Sequence, residues 1–326
     1  LGWVERRMSG NRRNKLPLPV KAAGGAVLAL ASVALVASML LPQYTEGQLT
    51  LYDGDYSEVK LMHAMAELLV EDKTDLEVVI LDQMTQVNNH NELKGANPSC
   101  DLMFSYDGTV LTTFLGLDTS DIPEGETLYD FANRAVQERE GLRLLGKVGL
   151  NNTYSIGVTR SVIDRYGAAR VSDLIPVAGE LDFGAEHEFY TEEGSMKYQP
   201  FVDFYGLSFQ SAKPVDVVLK YNAVEGGAFD VMVVYATDGL NKRAGLTILE
   251  DDQGFFPEYY GAFLVREDLF QDFYDAAPNL EQVLELLTGQ VSSEDMVELT
   301  YAVDVDGRPV DQTAHEFLVA KGLLSA

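Results

Sequence analysis

Four tyrosines stand at or near the ends of predicted strands, and their chemistry is the first indication of a function. The sequence has 16 tyrosines against one tryptophan, and the four in question are Tyr106, Tyr154, Tyr235 and Tyr259. In α/β sheets, strand ends are where ligands bind. The face of an aromatic ring carries negative charge density and attracts a cation, even one without an N–H donor. A single tyrosine at a strand end is more often a packing residue, but four of them favour an aromatic cage for a cation.

The side chains that enzymes use for catalysis form no recognisable pattern. No two of the four histidines have the spacing of metal ligands, and the chain has no H-E-x-x-H, G-x-S-x-G, P-loop or G-x-G-x-x-G motif. His187 in Glu186-His187-Glu188 could bind a metal, although a solvated charged turn is the more common case. Cys100 is expected to be a structural thiol. We therefore predict no catalytic residue, metal or cofactor, and an exported hydrolase is the least favoured class.

Length and composition limit the class of protein further. The 326 residues suit two domains, and 46% hydrophobic residues are enough to form a sizeable core. The single cysteine excludes an intramolecular disulfide. A net charge of −27 argues against nucleic acid as a partner, because a nucleic-acid binder needs a basic surface.

The charge is distributed unevenly, and the basic part precedes an apolar segment. Residues 1–50 carry a net charge of +4 and residues 51–326 a net charge of −31. No charged residue occurs in 22–45, and 20 helical residues span about 30 Å, the thickness of the hydrocarbon core of a bilayer. By the positive-inside tendency, 1–21 is a cytosolic tail, 22–45 is a transmembrane helix, and the binding region lies outside the cytoplasm, anchored to the cell membrane.

A cleaved signal peptide is the alternative interpretation of the same segment. Val36-Ala37-Ser38 would be an acceptable cleavage site with small residues. The uncleaved anchor is favoured because signal peptides usually have apolar regions of about 7–15 residues.

Beyond residue 48, short apolar runs alternate with helical patterns. Strands are predicted at 76–82, 101–106, 153–158, 229–235, 246–249 and 261–265. Helices are predicted at 58–71, 127–139, 161–166, 215–225, 279–287 and 292–303. Continuous apolar runs suit strands that are covered on both faces, and the alternation predicts an α/β fold with largely parallel sheets. Ser292, three residues before Asp295, is close to a capping box.

From residue 150 onward the chain resembles the substrate-binding proteins of ABC importers for osmoprotectants, the family for glycine betaine, carnitine and choline. The similar motifs are L-N-N-T-Y at 150–154, F-G-A-E-H-E-F at 183–189, Y-A-T-D-G at 235–239 and L-E-D-D-Q-G-F-F-P-E-Y at 249–259. The resemblance extends more weakly to the region before residue 150. Several motifs in the same order are more specific than any one of them.

This resemblance implies a two-lobed, type II periplasmic-binding-protein fold of the α/β class, with a hinge. The first lobe would comprise 48–152 plus 254–326, and the second lobe 153–253. Closure at the hinge would bury the ligand between the lobes. The domain would deliver its ligand to an ABC permease, while ATP is hydrolysed on a separate subunit.

The family holds a quaternary ammonium group in a box of tyrosines, and the resemblance places this box on the four strand-end residues named above. Tyr106 lies in S-Y-D-G-T, Tyr154 closes N-N-T-Y, Tyr235 opens Y-A-T-D-G, and Tyr259 closes F-F-P-E-Y. The resemblance therefore implies a small-molecule quaternary amine as the ligand.

The resemblance is less complete at the polar end of the ligand. Thr109 matches a position whose hydroxyl contacts a ligand carboxylate, and Asn151 and Asn152 could add amide donors. Val59 stands where the family commonly has glutamine, and Asp107 stands where it has threonine. If Asp107 faces the pocket, it would repel a carboxylate and favour a ligand with N–H or O–H donors.

Another branch of the family has the binding domain fused behind the permease and binds ergothioneine. The opening L-G-W-V-E-R-R-M-S-G is similar to the cytosolic end of a permease, which would fit that organisation. Such a tether raises the effective concentration of the domain at its permease. The alternative is a membrane-anchored sensory domain of the same fold, which reports ligand occupancy across the membrane.

Overall fold

A computed structural model describes residues 47–95, 97–191, 194–216 and 219–325. Within these ranges, no helix combines the length and the apolar character needed to cross a bilayer. The predicted cytosolic tail at 1–21 and the predicted transmembrane helix at 22–45 lie outside the described residues.

The described strands form three sheets. They are β1 (Gln48–Tyr52), β2 (Glu77–Leu81), β3 (Leu102–Tyr106), β4 (Leu142–Leu144), β5 (Tyr154–Thr159), β6 (Asp182–Glu186), β7 (Ser211–Val215), β8 (Val231–Tyr235), β9 (Leu246–Ile248) and β10 (Gly261–Arg266). β1 pairs with β2, and β10 lies between β3 and β4. We call these two sheets and their helices the first lobe. The second lobe is built on the other five strands, in the order β7-β6-β8-β5-β9.

Helices connect and cover these sheets. They are α1 (Ser57–Lys73), α2 (Gln86–Leu93), α3 (Asp107–Thr109), α4 (Leu128–Glu140), α5 (Arg160–Tyr166), α6 (Tyr198–Tyr205), α7 (Lys220–Glu225), α8 (Leu240–Arg243), α9 (Leu269–Asp272), α10 (Leu280–Glu285), α11 (Ser293–Asp304) and α12 (Val310–Ala320). A π-helical turn, Val110–Phe114, follows α3. Short 3₁₀ turns occur at Thr119–Asp121, Val171–Leu174, Ala178–Glu180 and His187–Tyr190.

Each lobe has its own apolar core. In the first lobe, α1 is central, because Leu61, Met65 and Leu69 on it are fully buried and pack in one cluster with β1, β3 and the C-terminal helices. In the second lobe, a cluster rich in phenylalanine centres on Phe183 and Phe201. Separate cores allow the two lobes to behave as separate packing units, with polar residues free to line the space between them.

The expectation of largely parallel sheets is wrong. Four of the seven pairings among the described strands are antiparallel, and all four involve β5 or β10. These are the first strands after the chain passes from one lobe to the other, so each enters its sheet against the direction of its neighbours. A continuous apolar run reports burial on both faces and contains no information about strand direction.

Most predicted elements are present, with ends that differ by one or two residues. The capping box of α11 is confirmed, since Ser292 Oγ accepts from Asp295 N and Asp295 Oδ2 accepts from Ser292 N, both at 3.0 Å. The helix predicted at 215–225 is partly wrong. Val215 ends strand β7, and the helix of this region begins at Lys220.

Along the chain, the strands of the first lobe lie on both sides of those of the second lobe. β1–β4 precede residue 152 and β10 follows residue 254, whereas β5–β9 lie between residues 154 and 248. The exact boundaries, 48–152 plus 254–326 and 153–253, stay a prediction.

Candidate functional site

A cleft of about 1060 Å³ lies between the two lobes and receives side chains from both. Six of the eight residues predicted to bind ligand line it: Tyr106, Tyr154, Tyr235, Tyr259, Thr109 and Asn152. They come from four separate stretches of the chain, at 106–109, 152–154, 235 and 259, so the cleft exists only in the folded domain.

The strands explain how the tyrosines meet. Tyr106 is the last residue of β3, and Tyr259 precedes β10, which pairs antiparallel with β3. Tyr154 is the first residue of β5, Tyr235 is the last of β8, and the two are direct partners in the antiparallel register. Each pair therefore consists of neighbours at one end of one sheet.

The four rings are arranged as two stacked pairs. The ring centroids of Tyr106 and Tyr259 are 5.4 Å apart, with an angle of 29° between the planes. Those of Tyr154 and Tyr235 are 5.3 Å apart, with an angle of 26°. One pair belongs to each lobe, so a cation between the lobes could contact aromatic faces from both sides.

Hydrogen bonds of the phenol groups hold these rings in place. Thr109 Oγ1 and the Tyr259 hydroxyl share a hydrogen bond of 2.6 Å. The Tyr106 hydroxyl donates to Glu58 Oε1, and the Tyr235 hydroxyl donates to Glu186 Oε2 at 3.1 Å. The hydroxyl groups of three of the four tyrosines are thus hydrogen-bonded within the domain, and all four side chains line the cleft.

Glu58 is the residue that links the two lobes most directly. It is 3% exposed and stands in the first turn of α1. Its carboxyl group accepts hydrogen bonds from the Tyr106 hydroxyl, from Asn152 Nδ2 at 3.2 Å and from the Thr237 hydroxyl, which follows β8 of the second lobe. Burial raises the pKa of Glu58 to about 7, and the three hydrogen bonds oppose that shift.

A second buried carboxylate, Glu186, lies behind Tyr235. It ends β6 and forms an ion pair of 2.8 Å with Lys220 Nζ, which is also buried. The ammonium group of Lys220 lies 4.5 Å from the ring centroid of Tyr235. The second-lobe tyrosines are thus flanked by a fixed pair of opposite charges.

Two predicted ligand contacts, Asn151 and Asp107, do not line the cleft. Asn151 Oδ1 accepts from the backbone N–H of Tyr259 at 2.7 Å. Asp107 is fully buried, and its Oδ1 accepts from the N–H groups of Gly108 at 2.7 Å and Tyr260 at 2.9 Å. Burial raises the pKa of Asp107 to about 7. Both side chains therefore hydrogen-bond to the backbone at Tyr259 and Tyr260, outside the cleft.

Val59, which stands where the family commonly has glutamine, belongs to the core of the first lobe and does not line the cleft. It is 1% exposed, and a Cβ on Gly54 would lie 2.4 Å from its Cγ1. The neighbouring Glu58 faces the cleft instead, because adjacent residues at the start of a helix project about 100° apart.

Sequence reasoning did not identify Glu58, Glu186 or Lys220 as site residues. Glu186 appears in the sequence analysis only as the neighbour of His187, the residue that could bind a metal. The described residues contain no group of three or more side chains suited to a metal. The signal available for Glu58 was its place beside Val59, the position where the family commonly has glutamine. Nothing in the pattern singled out Lys220.

The class of protein follows from this geometry and from its likeness to solved structures. A crystal structure of a glycine betaine/carnitine/choline ABC transporter matches 86% of this chain and 99% of its own, with a TM-score of 0.76 and 25% identity. The chain is therefore a two-lobed solute-binding protein with the α/β periplasmic-binding-protein fold, as predicted.

Sequence comparison gives the family. The substrate-binding domain of ABC-type glycine betaine transport systems matches residues 47–320, and the chain belongs to this family. Its members are solute-binding proteins, which confirms that the chain is not an enzyme.

Two relatives show the range of the family. The ergothioneine transport permease/ergothioneine binding protein EgtU of Helicobacter pylori is 29% identical over 223 residues, which are 68% of this chain and 38% of that protein. The chain thus spans well under half of EgtU. The carnitine transport binding protein OpuCC of Listeria monocytogenes is 27% identical over 264 residues, 80% of this chain and 83% of that protein.

Proposed function

We propose that this domain captures a quaternary ammonium compound between its lobes, outside the cytoplasm, and delivers it to an ABC permease that is driven by a separate ATPase subunit. The candidate ligands are betaine, carnitine, choline and ergothioneine, the first three from the family and the last from the relative EgtU. The observation that carries the proposal is the convergence of Tyr106, Tyr154, Tyr235 and Tyr259 as two stacked pairs facing one cleft. A membrane anchor at 22–45 would keep the domain beside its permease.

The tyrosines would hold the cation, and two polar residues would orient the rest of the ligand. A quaternary nitrogen has no N–H group and cannot donate a hydrogen bond to a carboxylate. The faces of aromatic rings attract it electrostatically instead. Thr109 and Asn152 line the same cleft and offer a hydroxyl and an amide. The excess of acidic residues would draw cations toward the domain.

The test is calorimetric titration of the full chain with each of the four compounds, repeated for Tyr154→Ala and Tyr259→Ala. Removal of a ring from either pair is expected to weaken binding by about 1–2 kcal/mol. Tyr274→Ala is the matched control, because Tyr274 is 58% exposed and lies outside the cleft. Wild-type affinity in both cleft variants would exclude the tyrosine cage, and no binding of any compound by the wild type would exclude the ligand class.

A further inference from the structure

A buried lysine borders the cleft beside the tyrosine pair of the second lobe. Lys220 is the first residue of α7, is 2% exposed and lines the cleft. Its ammonium group lies 4.5 Å from the ring centroid of Tyr235 and 5.1 Å from that of Tyr221. Removing an ammonium ion from water costs free energy that a counter-ion must offset. A buried charge at the edge of a cleft therefore suggests a role in binding.

Lys220 has more hydrogen-bonding capacity than its described neighbours use. An ammonium group has three N–H donors. Among the described residues, the one acceptor in reach is Glu186 Oε1 at 2.8 Å, and Glu186 Oε2 accepts from the Tyr235 hydroxyl. Glu186 therefore fixes Lys220 and Tyr235 relative to each other, while donors of the ammonium group stay available to a ligand.

The other charged groups around the cleft do not provide an alternative anion site of this kind. Lys197 donates to the Glu188 carbonyl at 2.7 Å, and the exposed Arg243 pairs with Glu225 at 3.1 Å. The acidic residues that line the cleft are Asp55, Glu58, Asp118, Asp238 and Asp304. Glu58 lies on the first-lobe side, and Asp238 on the second-lobe side accepts from the Tyr221 hydroxyl. Among the described residues that line the cleft, Lys220 is the one buried cation, so a ligand carboxylate is attracted there.

We propose that Lys220 binds the carboxylate of the ligand and makes the site selective for α-betaines, in which the acid group is one carbon from the quaternary nitrogen. This inference rests on the proposed function. Because the Lys220 ammonium lies against a ring of the cage, the anion that it binds must be adjacent to the cation that the rings bind. Glycine betaine meets this requirement, carnitine carries its carboxylate three carbons away, and choline has none.

The first test uses the wild-type full chain and varies the ligand. Glycine betaine, its methyl ester, carnitine and choline are titrated at physiological salt, which screens the long-range attraction of the acidic protein for the cationic ester and for choline. Glycine betaine is expected to bind about tenfold or more tighter than its methyl ester or choline. Neither of these has a carboxylate, so the charged hydrogen bond with the Lys220 ammonium group cannot form. Equal affinity for the acid and the ester would overturn the inference.

The second test varies the protein. Lys220→Met keeps the length and apolar contacts of the side chain, and it is expected to lower the ratio of betaine to choline affinity by about tenfold or more. Lys220→Arg keeps the charge and should retain most of that ratio. Lys73→Met removes the same charge at the half-buried C-terminal end of α1, outside the cleft, and should leave the ratio as in the wild type.

The outcomes separate this inference from the function on which it rests. If the wild type binds quaternary amines and Lys220→Met lowers the affinities for betaine and choline equally, Lys220 is a structural residue and the selectivity is overturned, while the proposed function stands. If the wild type binds none of the compounds, both are overturned. The wild-type ligand series decides the question even if Lys220→Met does not fold.

Discussion

At the scale of single residues, Gly108 shows how closely the backbone approaches the cage. A Cβ at this position would lie 1.9 Å from Cε2 of Tyr259, so only glycine lets that ring lie where it does. Gly108→Ala is expected to displace the ring, at a cost of about 1–3 kcal/mol, and to weaken binding of the quaternary amine by about tenfold or more. Titration of the variant with glycine betaine and choline measures the loss.

Gly179→Ala is the matched control for Gly108→Ala, because the nearest atom to its added Cβ is 3.9 Å away. It should bind like the wild type. If Gly108→Ala also binds like the wild type, the Tyr259 ring does not need its described position.

The residues of the site were predictable where the residue type and its position in the sequence already indicate a function. Tyrosines at strand ends are conspicuous, and four of them line the cleft. Whether Asp107 or Glu58 faces the cleft depends on the direction of a side chain after a turn, which the sequence does not specify. Lys220 was not recognisable because its significance comes from Glu186 and Tyr235, which are distant in sequence.

At the scale of secondary structure, α11 connects the lobes. Thr300 on this helix donates to the Thr237 carbonyl at 3.0 Å and accepts from Gly239 N at 3.0 Å, so the helix is tied to the segment after β8. Ser292→Ala removes the acceptor that caps Asp295 N and is expected to lower the free energy of unfolding by about 1 kcal/mol. Denaturant unfolding measures this change.

Ser208→Ala is the control for the loss of the cap, since Ser208 is exposed and belongs to no helix cap. It should unfold like the wild type. An equal stability of Ser292→Ala and Ser208→Ala would show that the capping box contributes nothing to the domain.

The elements that were predicted are those whose pattern is strong within a short window. The apolar runs of β2, β3 and β8 and the helical period of α1 need no tertiary information. Strand β7 was missed because Pro214 and the exposed Lys213 are unusual in a strand. Both are tolerated because β7 is at the edge of its sheet, which only the folded topology shows.

At the scale of the whole molecule, buried ionisable groups make stability depend on pH in two opposite ways. Burial raises the pKa of Glu58 and of Asp107 to about 7, so the folded state keeps protons that the unfolded state has released. Burial lowers the pKa of His63 to about 3, so below pH 6.5 this histidine binds a proton in the unfolded state but stays neutral in the folded state. Acidification therefore stabilises the fold through the carboxyl groups and destabilises it through the histidine.

These signs predict where stability is greatest. As the pH falls from 8 toward 6.5, the ordinary pKa of histidine, Glu58 and Asp107 become protonated in the folded state and the free energy of unfolding rises. Below that pH, His63 opposes the gain, so the maximum should lie on the acid side of neutrality. Denaturant unfolding of the ligand-free chain over a pH series measures this curve.

The contribution of Glu58 can be isolated with Glu58→Gln, which cannot ionise. Between pH 5 and pH 8, the free energy of unfolding of the variant should rise relative to that of the wild type by about 1–3 kcal/mol. The reason is that the cost of ionising a buried carboxyl group grows with pH only in the wild type. Asp107→Asn, at a group with a similarly raised pKa outside the cleft, should show the same sign. Parallel curves for the wild type and Glu58→Gln would mean that Glu58 titrates alike in the folded and unfolded chains. In that case its hydrogen bonds to Tyr106, Asn152 and Thr237 stabilise the carboxylate enough to cancel the cost of burial.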